Sequence, residues 1–192
     1  MRYNNFVHPS RGLRMRSRGT LPHWEVENST YFVTFRLRDS LPREVAKTLM
    51  RQREAAMRQA KTAAQRAEVE RMFGDRLDRY LDAGCGSAIL TEHGTVVVEA
   101  LKHFDGDRYE LDSWCVMPNH VHVLVFVPEI ARLDRVLHSW KSFTAHRIGL
   151  GAIWQREYFD RIVRDAEELE RTRDYIHANP WRAGLKDWPF VA

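Results

Sequence analysis

His120 and His122 stand two residues apart in Asn119-His120-Val121-His122-Val123-Leu124-Val125-Phe126-Val127, directly after Pro118. A run this rich in β-branched residues reads as a strand, on which alternate side chains share a face. The two imidazoles therefore emerge together, roughly 6–7 Å apart along the chain. Valine would bury better at either position, so sheet packing does not account for the pair. Two imidazoles converging on one metal ion does. A second set lies near the C-terminus, where Tyr175 and Asn179 are four residues apart in a helical segment and so share a helix face. The Asn179 amide oxygen is a hard ligand able to complete a set begun by two imidazoles. Its place at a helix C-terminus also puts the negative end of the dipole beside a cation. Tyr175, one turn earlier, is a phenol that can attack a phosphodiester if the ion polarises the non-bridging oxygen.

The elements that must position these groups are legible in outline. Thr30 to Arg38 reads as a first strand, with Arg36 and Arg38 on one face. Asp39-Ser40 offers N-cap side chains, and Pro42 fits a first helical turn. From there to about Asp82 the chain is rich in Ala, Arg, Glu and Gln, with Gly84 and Gly86 closing it. The middle, Arg51 to Arg71, has few large apolar residues. It is expected to be a helical excursion at about 42–84, broken at Gly74, whose charged face meets solvent rather than DNA. Thr91 to Phe104 carries mixed signals and is read as helix on Val97, Ala100, Leu101 and Phe104. Tyr109 to Met117 is a second strand, turned through Pro118-Asn119 into the histidine strand.

Leu133, Val136, Leu137, Trp140 and Phe143 trace the apolar side of a further helix, ended by Gly149 and Gly151. A short strand follows around Tyr158 to Arg164. Then comes an acidic-started helix from Asp165 to about Asn179, which Pro180 is expected to end. The order predicts an α+β fold: a ferredoxin-like split βαββαβ antiparallel sheet with helices on one face. To this are added an enlarged first helical segment and an extra C-terminal helix carrying the tyrosine.

Composition narrows the class. The chain has 192 residues, 44% of them apolar and 29% charged. That suits one packed domain, taken as 25–192. No apolar run approaches the roughly 20 residues needed to cross a bilayer, and no signal-peptide h-region opens the chain. Cys85 and Cys115 make no disulfide framework, so a cytoplasmic location and no membrane partner are expected. The net charge of +4 is concentrated at the start: residues 1–24 hold Arg2, Arg11, Arg14, Arg16 and Arg18 and no acid. This arm is expected to be flexible and to attract polyanions, nucleic-acid phosphates above all.

Met117-Pro118-Asn119-His120-Val121-His122, followed by Tyr175-Ile176-His177-Ala178-Asn179-Pro180-Trp181-Arg182-Ala183-Gly184-Leu185, resembles the single-tyrosine HUH transposases. Within them it is most similar to the REP-associated tyrosine transposases of bacteria. Leu21-Pro22-His23-Trp24, Tyr31-Phe32-Val33-Thr34-Phe35-Arg36-Leu37 and Trp154-Gln155-Arg156-Glu157-Tyr158-Phe159-Asp160 extend the resemblance over roughly Leu21 to Trp188. The resemblance implies a metal-dependent single-stranded DNA endonuclease and strand transferase. Such an enzyme forms a covalent 5′-phosphotyrosine and leaves a free 3′-OH. It implies Tyr175 as nucleophile, and His120, His122 and Asn179 as ligands of Mg²⁺ or Mn²⁺. The implied partner is single-stranded DNA carrying hairpin-forming, REP-like palindromic elements, bound by a monomer or a homodimer. The excursion at 42–84 departs from compact relatives.

Duller roles compete with each assignment. A strand histidine pair can be structural, Asn179 can be a helix C-cap, and Tyr158 is the rival nucleophile, although no polar ligand follows it at helical spacing. His93, His103, His138, His146 and His177 lack a partner pattern. Arg36, Arg38, Lys141, Arg147, Arg156 and Arg182, with Arg14, Arg16 and Arg18 of the arm, are candidates for phosphate contact. Trp154 and Trp181 are candidates for stacking on unpaired bases, and Trp140 belongs to the core. A domesticated protein that binds DNA hairpins without cutting them is the alternative function. A zinc hydrolase would need a third histidine or a carboxylate ligand that the sequence does not place.

Overall fold

Alternation in a single strand sets the two-sided core. In β3 (Ser29–Arg36), Tyr31, Val33 and Phe35 point one way and Phe32 and Thr34 the other, all of them buried. Full burial on both faces requires cover on both, and the computed structural model supplies it. The structure describes residues 14–17 and 22–192, with side chains from Val26 onward. Arg2, Arg11 and Arg18 lie outside the described residues. Arg14 and Arg16 are described in their backbone alone, in β1 (Arg14–Ser17), which pairs antiparallel with β2 (Pro22–Glu25).

The main sheet is antiparallel. β3 is flanked by β5 (His120–Val127) and β6 (Phe159–Ile162), and β4 (Glu110–Val116) pairs with the outer side of β5, giving the order β4-β5-β3-β6. This is the split βαββαβ arrangement expected from the sequence. Its two crossover helices, α3 (Leu90–Lys102) and α4 (Leu133–Ile148), pack on one face. There Val97, Leu101, Val136, Leu137 and Trp140 meet Val33, Phe35, Val121, Val123 and Val125.

The excursion covers the opposite face. It is two helices, α1 (Arg43–Gln59) and α2 (Ala63–Asp82), and the break falls at Ala60–Thr62 rather than at Gly74. Thr62 and Gln65 form a reciprocal capping box that starts α2. Gly74 instead sits inside α2 against β6, where an added Cβ would lie 3.4 Å from the Phe159 ring. Phe73, Leu77 and Leu81 of α2 join Phe32, Leu124 and Phe159 in a second core. Arg53 of α1, buried, donates to Glu70 of α2 and ties the two helices together.

α5 (Ala166–Arg182) shares this second core through Leu169 and Ile176. Asp165 caps it by accepting from the Glu168 N–H at 2.7 Å. It continues past Pro180 to Arg182, beyond the expected end. Proline forfeits only its own N–H, and Ala183 N–H to Asn179 O and Leu185 N–H to Pro180 O complete the turn. A bulge between Leu111 and Ser113 in β4 frees Asp112 to take Arg173 of α5 in a two-pronged contact at 2.7 and 2.5 Å. That contact sets the pose of α5 over β4 and β5. Among the described residues no helix is long and apolar enough to cross a membrane.

Candidate active site

β5 delivers both histidines to the face that α2 and α5 cover, and both are fully buried. Their Nε2 atoms lie 3.0 Å apart. The far nitrogens explain which atoms face one another. Asn119 donates its amide to Leu81 O and Cys85 O, both at 3.1 Å, so its Oδ1 is the atom 2.7 Å from His120 Nδ1. His120 therefore carries its proton on Nδ1 and turns a lone pair inward. His122 Nδ1 lies 2.9 Å from Thr34 Oγ1 on the neighbouring strand. When His122 donates to Thr34, two Nε2 lone pairs converge, an arrangement that calls for a cation between them.

Burial holds both rings neutral, the form that binds metals. The His122 pKa is lowered to about 3 by burial. The His120 pKa is lowered well below the usual histidine value by burial and by its neighbour His122.

α5 brings Tyr175 and Asn179 to the same place. The Tyr175 ring stands edge-on to His122 with centroids 5.4 Å apart, and edge-on to Phe32 at 5.9 Å. Asn179 is buried, and its Oδ1 accepts no hydrogen bond from the described residues. A buried, unpartnered carbonyl oxygen is costly unless something else satisfies it, and a hard cation does. Among the described residues no group of three or more His, Cys, Asp or Glu is placed to hold a metal ion. Two imidazoles and an amide oxygen are donors that would suit a divalent cation, and they do not make a closed structural zinc site.

Two acids at this site escaped sequence reasoning. Asp78 Oδ2 accepts from the Tyr175 hydroxyl at 2.7 Å, and Asp82 Oδ1, which has no hydrogen-bond donor among the described residues, lies 3.8 Å from His120 Nε2. Burial pushes Asp78 up to about 7, against the opposing pull of the Tyr175 hydroxyl, and pushes Asp82 up to about 6, against Arg182. Burial, with Asp78 beside it, drives the Tyr175 phenol well above its ordinary value, so it is protonated at rest. The available signal was spacing: Asp75, Asp78 and Asp82 recur with helical period alongside Leu77 and Leu81.

The candidate phosphate contacts scatter. Arg182 lies over the Tyr175 ring at 5.8 Å. Lys141 donates to Arg156 O at 3.0 Å, and with exposed Arg156 lines a cleft that also holds Arg135 and His138. Arg36 is half-buried and lines a separate cleft of about 470 Å³ with Arg43, Lys47 and Arg51. Arg38 and Arg147 are exposed, and neither belongs to either cleft. Contrary to its expected role in stacking, Trp154 is buried against Phe35 and donates to Thr144 Oγ1 at 2.8 Å, so it offers no face to a base. Trp181 is 76% exposed. Phe143, expected in the core stripe of α4, is exposed.

The fold and site define a class. A family model described as "Transposase IS200 like" matches residues 89–179, a span holding both histidines, Tyr175 and Asn179. The REP-associated tyrosine transposase of Escherichia coli (strain K12) is 32% identical over 113 residues, 54% of this chain and 67% of that protein. A Haemophilus influenzae protein provisionally given the same name is 27% identical over 135 residues, 60% of this chain and 72% of the other. A solved structure of a REP-associated tyrosine transposase bound to a REP hairpin shares the fold. Its TM-score is 0.59 at 22% identity, over 88% of this chain and 79% of that one. The chain belongs to the REP-associated tyrosine transposases, and is an enzyme of that class.

Proposed function

We propose that the protein cuts and rejoins single-stranded DNA at hairpin-forming palindromic repeats, with the Tyr175 hydroxyl as nucleophile and a covalent 5′-phosphotyrosine as intermediate. One observation carries the reading: a phenol stands against a buried imidazole pair whose Nε2 atoms face each other at 3.0 Å. His120, His122 and Asn179 would hold Mg²⁺ or Mn²⁺. When bound, that ion supplies charge for the non-bridging oxygens as they become more negative. Thr34 and Asn119 orient the two imidazoles, and Phe32, stacked 5.5 Å from His122, keeps water from that flank. Arg182 sits where a phosphate approaching Tyr175 meets positive charge.

The DNA path follows the charge. Lys141 and Arg156 in their cleft, Arg36 in the other and exposed Trp181 beside Arg182 are the proposed contacts to phosphates and unpaired bases. The basic residues of the arm, Arg14, Arg16 and Arg18, would add phosphate contacts.

The test uses single-stranded oligonucleotides spanning inverted repeats that flank the gene, end-labelled and incubated with the protein and Mn²⁺. A denaturant-resistant protein–DNA adduct is expected, lost in Tyr175→Phe and in His120→Ala/His122→Ala. Hairpin binding that chelator leaves unchanged, with no scission, would instead identify a binding protein that does not cut.

A further inference from the structure

We propose that Asp78 is the general base for Tyr175, taking the phenolic proton as the oxygen attacks phosphorus and returning it when the strand is rejoined. This rests on the nuclease reading above. It assigns chemistry to the helical excursion, since Asp78 lies on α2, outside the matched span of residues 89–179.

The geometry comes first. A phenol loses its proton on becoming a phosphate ester, and the hydrogen bond of the Tyr175 hydroxyl goes to Asp78 Oδ2 at 2.7 Å, within the reach required of a base. Asp78 is buried, and no salt bridge among the described residues satisfies it. A carboxylate on the apolar stripe of α2 between Leu77 and Leu81 contributes nothing to packing that a leucine would not improve. Asp78 and Tyr175 share a cleft of about 230 Å³ that also presents Arg161 and Arg171, so the pair can be reached from solution.

Charge supports the assignment. Asp75 and Asp82 face Asp78 from its own helix, Arg161 from β6 and Tyr175 from α5. Burial outweighs the two attractions and leaves a carboxyl that exchanges protons near neutrality, as a reversible base must.

The step balances. The bond from Tyr175 oxygen to phosphorus forms and the bond from phosphorus to the 3′-oxygen breaks. That oxygen keeps the electron pair and takes a proton from water, while the phenolic proton moves to Asp78. On rejoining, the 3′-hydroxyl gives its proton to water as its oxygen attacks the phosphotyrosine, the bond from phosphorus to the Tyr175 oxygen breaks, and the departing phenolate recovers its proton from Asp78.

Asp78→Asn keeps the shape and a hydrogen-bond acceptor but cannot take a proton. In single turnovers with protein in excess over the flanking-repeat oligonucleotide, adduct formation should slow by about 100-fold or more. Asp78→Ala, which opens space in the cleft, should recover rate when formate is added as a free carboxylate, whereas Tyr175→Phe should not. Wild-type adduct formation together with an Asp78→Asn rate within about threefold of it would overturn the base and leave the nuclease reading intact. Slow variants with no recovery in formate would make the carboxylate structural and overturn it too. Absence of adduct from the wild type itself would fail the nuclease reading, and this inference with it.

Discussion

Thr34 Oγ1 and His122 Nδ1 lie 2.9 Å apart across the β3–β5 pair, each opposite the other in register. Among the described residues His122 has no other partner for that nitrogen, whereas His120 is held by an asparagine whose orientation two carbonyls dictate. Losing the threonine hydroxyl would free His122 to protonate at Nε2, the atom proposed to face the metal. Thr34→Val should therefore weaken Mn²⁺ binding about 10- to 100-fold while leaving the fold intact. Calorimetric titration with Mn²⁺ reads this directly. Unchanged affinity would mean that the Thr34 contact does not set the tautomer.

Asp78 makes stability depend on pH in a direction that can be isolated. Its folded pKa of about 7 lies above the ordinary aspartate value of 3.8, so the folded state holds the proton more tightly. The associated stability is fully present below about pH 4 and is lost as pH rises through about 7. Asp82 acts in the same sense, up to about 6. His120 and His122, whose folded values are depressed, act in the opposite sense below about 6.5, so the whole-protein profile mixes both. Comparing Asp78→Asn with the parent cancels the shared contributions. The variant should be progressively more stable than the parent as pH rises from 4 to 7, by urea unfolding at each pH. A constant difference across that range would contradict a buried, proton-holding Asp78.

Arg53 and Glu70 should behave as a coupled pair. Their side chains are 5% and 22% exposed, and they join α1 to α2. Removing one partner leaves the other buried and uncompensated. Glu70→Ala should cost about 3 kcal/mol, whereas Arg53→Met/Glu70→Leu together should recover much of it. A double-mutant cycle from denaturant unfolding measures the coupling, and strict additivity would show that the helices are held by Leu49, Phe73 and Leu77 alone.

What the sequence revealed and concealed has a physical pattern. The strand alternation around His120 and His122 and the four-residue spacing of Tyr175 and Asn179 are local periodicities, so the half of the site they build was legible. Asp78 and Asp82 were not. Their helix is rich in Arg and Glu, and its few apolar residues looked too sparse to cover a sheet, yet Phe73, Leu77 and Leu81 suffice because α1 shields the far side. The break between α1 and α2 was concealed for a related reason. Gly74 is the conspicuous weak helix former, while Thr62 and Gln65 signal a helix start only when their spacing is noticed. Pro180 misled because a proline near a helix end removes one hydrogen bond, which the last turn can spare.

Trp154 and Trp181, both base-stacking candidates by sequence, should separate completely. Trp154 packs its ring edge-on to Phe35 at 4.9 Å and spends its N–H on Thr144, whereas Trp181 is 76% exposed at the end of α5, beside Arg182. Trp154→Ala removes a buried ring and the one hydrogen bond that the Thr144 hydroxyl accepts from it, and should destabilise the fold by about 3–5 kcal/mol. Trp181→Ala should shift stability by no more than about 0.5 kcal/mol. If unpaired bases stack on Trp181, the same change should weaken binding of the flanking-repeat oligonucleotides by about 1–3 kcal/mol. Thermal melts and fluorescence anisotropy on both variants give the two readings. Full oligonucleotide affinity in Trp181→Ala would move the strand's path away from the end of α5 and toward the cleft of Lys141 and Arg156.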